Sequence, residues 1–73
     1  MAKKTTTFLM SSKALRTEAG RRLSAAGYTT EEDELLPGEK GAALKVRHED
    51  QDTTRVREML HAIDPNLKTR HDG

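Results

Sequence analysis

The chain has 73 residues, 33% hydrophobic and 34% charged, with no cysteine and a formal net charge of +1. That composition allows one domain with a thin core. It excludes a disulfide framework, a CxxC redox pair and a cysteine-based zinc site, and no apolar run approaches the roughly 18 residues that a membrane-spanning helix needs.

The opening MAKKTTTFLM holds too short an apolar stretch for a secretory signal, so a soluble, cytoplasmic protein is expected. Charge is unevenly placed. Residues 1–30 carry Lys3, Lys4, Lys13, Arg16, Arg21 and Arg22 against Glu18, whereas residues 31–40 carry Glu31, Glu32, Asp33, Glu34 and Glu39 against Lys40. In a chain this small, backbone ordering at about 1–2 kcal/mol per residue nearly cancels burial at roughly 1.5–3 kcal/mol per large apolar side chain. Self-association is a common remedy, so a homodimer is one of two expected assemblies, a complex with a protein partner being the other.

Residues 1–4 have no anchor and are expected to be flexible, as are 71–73, leaving 5–70 as a single α/β domain. Thr5 to Met10 is rich in β-branched residues and holds the only Phe, which predicts a strand with Thr6, Phe8 and Met10 on one face. Ser11 or Ser12 can then open a helix by accepting from a free backbone N–H. Leu15, Ala19, Leu23 and Ala26 form its apolar stripe, with Arg22 covering the edge of the core by its methylene stem. Gly27 suits a left-handed cap, after which Tyr28 packs back on Leu23.

Tyr28 to Gly41 reads two ways. TTEEDELLPG favours a short helix by its acidic start and its Pro37 stop, or an edge strand or acidic loop that pairs with the next segment through Pro37-Gly38-Glu39-Lys40-Gly41. The edge strand or loop is preferred. Ala42 to His48 alternates, with Ala42, Leu44, Val46 and His48 facing a core and Ala43, Lys45 and Arg47 facing water. Asp52 or Thr53 caps a second helix whose Val56, Met59, Leu60 and Ile63 fall at i, i+3, i+4 and i+7. Asp64-Pro65-Asn66 breaks it, and Leu67 to Arg70 makes a short final strand with Lys68 and Arg70 guarding its edge.

The order predicts an α+β, two-layer α/β sandwich of the ferredoxin-like βαββαβ type, the second and fourth strands being the weakest signals. The alternative is a minimal βαβα unit. Right-handed crossovers are expected to lay the two strong strands side by side and parallel. Both helix N-termini then emerge at one end of the sheet, bringing Ser11 and Ser12 near His48, Glu49, Asp50 and Asp52. That cluster is the one candidate ligand site, suited to a cation, but HEDQD has no recognised ligand spacing, and the favoured reading is a helix cap by Asp52 with the other residues in a solvated turn. His61 and Arg57 read as a solvated helix face.

No nucleophile-base pairing, phosphate loop or metalloprotease motif is present, so no enzyme activity, cofactor or resident metal is expected. The strand-helix halves FLMSSKALRTEAGRRLSAAGY and ALKVRHEDQDTTRVREML resemble those of small ferredoxin-like modules of metal-chaperone, amino-acid-sensing and RNA-recognition types. The resemblance implies the fold alone. The loop Met10-Ser11-Ser12 lacks the thiols of metal-chaperone domains, and neither strong strand carries an aromatic RNA-binding motif.

The expected function is therefore a non-catalytic protein-interaction or regulatory module that binds a protein partner or itself. Its interaction surface would draw on Lys13, Arg16, Arg21, Arg22, Lys45 and Arg47 and on the acidic Glu31, Glu32, Asp33 and Glu34. The alternative is a nucleic-acid-binding accessory protein using the basic N-terminal arm and first helix. Against it, Lys13, Arg16, Arg21 and Arg22 scatter around the helix, and only Phe8 and Tyr28 are available for base stacking.

Overall fold

The computed structural model describes residues 3–70, so the expectations for residues 1–2 and 71–73 lie outside it. Strand β1 (Lys3–Met10) leads to helix α1 (Lys13–Ala25), then β2 (Thr29–Asp33), β3 (Ala42–Glu49), a 3-10 turn (Asp50–Asp52), helix α2 (Thr53–Ile63) and β4 (Lys68–Thr69). The four strands form one sheet in the order β2-β3-β1-β4, every neighbouring pair antiparallel. Among the described residues no helix is long and apolar enough to cross a membrane.

Local signals place the helices. The Ser12 side chain accepts from the Leu15 N–H, opening α1. At the other end Gly27 takes φ +94°, the Gly27 N–H bonds Ser24 O and the Tyr28 N–H bonds Leu23 O. That is the paired-bond geometry of a glycine-terminated helix. Tyr28 packs against the core, but Ala26 is exposed and drops out of the expected stripe. Val56 and Leu60 of α2 are fully buried, with Met59 and Ile63 half-buried beside them. The expected side-chain cap by Asp52 is not made. The chain enters α2 through the 3-10 turn, where the Thr53 hydroxyl donates to Asp50 O.

Both helices cover one face of the sheet. Thr6, Phe8 and Met10 of β1 and Ala42, Leu44, Val46 and His48 of β3 point into that layer, as their alternation predicts. The central pair differs from expectation in direction: β1 and β3 lie side by side but antiparallel, in the register Thr6↔Val46 and Phe8↔Leu44. The crossover through α1 joins β1 to β2, two places away and parallel to it, and β3 returns from β2 by a loop into the gap between them. The acidic stretch is ordered as edge strand β2 rather than a helix, and β4 is present, so the minimal βαβα alternative fails.

The other face departs from expectation at two points. Thr7 and Ala43 there are buried, so the face is only partly wet. Arg70 does not guard an edge. Its backbone N–H donates to Thr7 O, and its side chain folds inward to the carboxylates of Asp33 and Glu39. The loop that returns to β3 is tightly fitted. Gly38 (φ +87°) sits in a turn closed by the Glu39 N–H to Leu36 O bond, and at Gly41 (φ +92°) a Cβ would lie 1.9 Å from Met10 O.

Candidate functional site

Antiparallel β1 and β3 put the two helix N-termini at opposite ends of the sheet, so the expected cluster of Ser11 and Ser12 with His48, Glu49, Asp50 and Asp52 does not form. His48 lies under the helices, 1% exposed. Its Nδ1 is 2.7 Å from Glu49 O and its Nε2 is 2.8 Å from the Thr6 hydroxyl. The carbonyl can only accept, so Nδ1 carries the proton, and in the neutral ring Nε2 accepts from Thr6. The distance suits a nucleophile-base pair, but neither group is accessible to a substrate. Glu49 and Asp50 point outward to Lys3 (3.2 Å) and Lys4 (3.9 Å). Among the described residues no three histidine, aspartate or glutamate side chains converge as metal ligands would.

Ser11 finds a different acid. Asp64, just past α2 and 2% exposed, accepts from the Ser11 N–H (2.8 Å) and hydroxyl (3.1 Å) and from the Asn66 N–H (3.0 Å). Burial pushes its carboxyl up, but the bonds from Ser11 and Asn66 and the nearby His61 outweigh that and hold it below the ordinary value. The result is a clasp between the ends of β1 and α2.

Arg70 gathers the acidic segment. Its guanidinium donates to both oxygens of Glu39 (2.6 and 2.9 Å), to Asp33 (2.9 Å) and to Glu34 O (2.8 Å). The Glu39 carboxyl is lowered chiefly by Arg70; that of Asp33 is lowered first by a bond from the Glu34 N–H and then, against burial, by Arg70. This binds the 34–41 loop and the end of β2 to the end of β4. Arg16 does the same on the helix side. Its side chain is 15% exposed and bridges to Glu32 (3.1 Å), and Nη1 donates to Ala43 O (3.5 Å). Arg16 thus takes the core-edge position expected of Arg22, which is exposed and pairs with Glu18 (2.9 Å).

The expected interaction residues therefore divide. Arg16, Glu32 and Asp33 are committed to internal ion pairs, and Glu34 lends its carbonyl to Arg70. Glu31, Lys45 and Arg47 stand on the sheet face away from the helices, with Glu31 opposite Lys45 and Thr29 opposite Arg47. Arg21 lines a groove between α1 and β2, walled on the helix side by Thr17, Gly20 and Ser24 and on the strand side by Thr30 and Glu32. Beside it, among the described residues, β2 is bonded to β3 on one side only.

Sequence reasoning missed Asp64 and Arg70 as clasps, reading one as a helix breaker and the other as an edge guard. Comparison of the chain with family models, with curated proteins and with solved structures gives no match in any of the three.

Proposed function

We propose that this protein is a non-catalytic protein-interaction module of ferredoxin-like βαββαβ architecture, which engages its partner along β2. The element order, the strand order β2-β3-β1-β4 and the placing of both helices on one face support the architecture. One observation carries the function. Of the side chains offered by the sequence as reactive or ligating, His48 is buried and bonded to Thr6 and Glu49, and the exposed Ser11 is bonded to the buried Asp64, whereas among the described residues the β2 edge and the groove beside it are open. The nucleic-acid reading has less support. Phe8 is buried and Tyr28 is packed on the core, and Lys3, Lys4, Arg16, Arg22 and Arg70 are all in ion pairs.

A photo-crosslinking residue at position 31 should give a discrete adduct in cell lysate, and one at Glu58 on the exposed side of α2 should not. A protein that sediments as a strict monomer at all concentrations and forms no adduct at low salt refutes the reading.

A further inference from the structure

We infer that the groove between α1 and β2 accepts an extended segment of another protein as a fifth strand, with lysine or arginine at alternate positions. The inference rests on the proposed interaction module and names the partner's chemistry. Three observations carry it.

The first is the edge itself. In an antiparallel ladder alternate residues direct their N–H and C=O groups to opposite sides, so the outer side of β2 offers backbone donors and acceptors to an added strand. The opposite edge is a poorer template: β4 has two residues against five in β2.

The second is Gly20. Glycine inside a helix costs about 0.8–1 kcal/mol relative to alanine, and φ is not positive at this position. A Cβ there would meet only Thr30 Oγ1, at 3.6 Å, an ordinary contact. The fold does not require glycine at this point. With Thr17 and Ser24 nearby, its absent side chain keeps the groove wide enough for a peptide backbone beside β2.

The third is charge. Arg16 and Arg70 neutralise Glu32 and Asp33, but Glu31, although opposite Lys45 on β3, is in no ion pair among the described residues. It stands exposed on the helix-free face of the edge strand, where alternate side chains of an incoming strand would lie. Lysine or arginine at those positions complements it. The other side chains of that strand face Gly20, Ser24 and Arg21, which favours small uncharged residues. A second copy is badly matched. Pairing β2 with itself antiparallel about Glu31 sets Glu31 opposite Glu31, and like charges directly opposite destabilise a sheet.

The test titrates the full chain, isotope-labelled, with the peptide acetyl-Lys-Thr-Lys-Ser-Lys-Thr-Lys-amide. Saturable amide shifts should appear at Thr29 to Asp33 and at Gly20 and Ser24. Glu31→Gln should weaken binding about two- to fivefold, the worth of one exposed ion pair. Gly20→Gln, which keeps the helix by substituting a better helix former and fills the groove, should abolish it. Peptides N-methylated at alternate backbone nitrogens, in both registers, separate strand addition from charge attraction: one register should fail to bind.

The inference is overturned if both methylated peptides bind as well as the parent, if Gly20→Gln binds unchanged, or if the shifts map to Lys45 and Arg47 alone. It is overturned equally if a glutamate analogue competes, or if the β2 amides shift with protein concentration or single-stranded RNA instead of peptide. An adduct from position 31 that saturating peptide does not displace preserves the interaction module but overturns this partner. A strict monomer that gives no adduct overturns the reading beneath it, and this inference with it.

Discussion

Replacing Asp64 by asparagine isolates one buried carboxylate on which the closure of the fold depends. Its Oδ2 accepts from the Ser11 N–H, and its Oδ1 from the Ser11 hydroxyl and the Asn66 N–H. An asparagine has one oxygen for these two places, so its amide nitrogen must face a backbone N–H in either orientation. At least one hydrogen bond to a charged acceptor is lost, about 1.5–3 kcal/mol. Stability at roughly 0.05–0.15 kcal/mol per residue amounts to about 4–11 kcal/mol for a chain of this length. Asp64→Asn should therefore lower the melting temperature by roughly 6–24 °C, at about 4–8 °C per kcal/mol for a domain of this size.

The effect carries a pH signature. Asp64 is held below its ordinary value of 3.8. A carboxyl lowered in the folded state contributes fully above that ordinary value, and loses its contribution as pH falls through the folded one. Urea melts of both proteins at pH 7, 5 and 3 should show a gap that is full at pH 7 and 5 and narrowing at pH 3. A gap below about 0.5 kcal/mol at pH 7, the scale of an ordinary surface substitution, or a gap as wide at pH 3 as at pH 7, refutes the reasoning.

Other substitutions test separate parts of the fold. Leu60→Ala opens a cavity in the α2 stripe and should cost about 2–5 kcal/mol by denaturant melt, a large share of the total. Gly41→Ala drives a Cβ to within 1.9 Å of Met10 O at φ +92°, and should give little folded protein by circular dichroism. His48→Ala removes a buried ring bonded to Thr6 and Glu49 and should cost roughly 2–4 kcal/mol, whereas Asp50→Ala should stay within about 0.5 kcal/mol; equal effects would restore the idea of a shared site. Arg70→Lys cannot reproduce the paired bonds to Glu39, so hydrogen exchange at Leu36 and Glu39 should quicken while that at Leu60 does not. Wild type should show the same loosening as pH falls from 4.5 through and below 3.8, because Glu39 and Asp33 are both lowered from those ordinary values and their bonds to Arg70 are lost on protonation.

The range of each interaction explains which features were legible in the sequence and which were hidden. The end of α1 was legible because Gly27 and Tyr28 bond residues three and five positions back. Both helical stripes and the alternation in β3 are likewise periodic over a few residues. The Ser11–Asp64 and Asp33–Arg70 clasps join residues 53 and 37 positions apart, and such pairs leave no periodic trace. His48 was placed on the correct face yet offered as a ligand, since its partner Thr6 is revealed only by the β1–β3 register. That register depends on strand direction, which hydrophobic pattern does not determine. Assuming parallel strands carried the supposed ligand cluster to the wrong end of the sheet.

The edge strand joins the fold to the proposed function. Consecutive acids are poor strand formers, and TTEED nevertheless forms a strand because two arginines from elsewhere in the chain offset its charge. Arg16 reaches Glu32 on the helix side, and Arg70 reaches Asp33 on the opposite face. Neither ion pair includes Glu31, the acid that precedes both. The acids that discourage one β2 edge from pairing with another are thus quenched at two positions and left exposed at a third. An edge so arranged resists self-pairing while keeping one charge to select a basic strand. Neutralising that charge with Glu31→Gln should therefore loosen the discrimination against a second copy as it weakens the lysine peptide, and two effects from one side chain would tie the edge's protection to its selectivity.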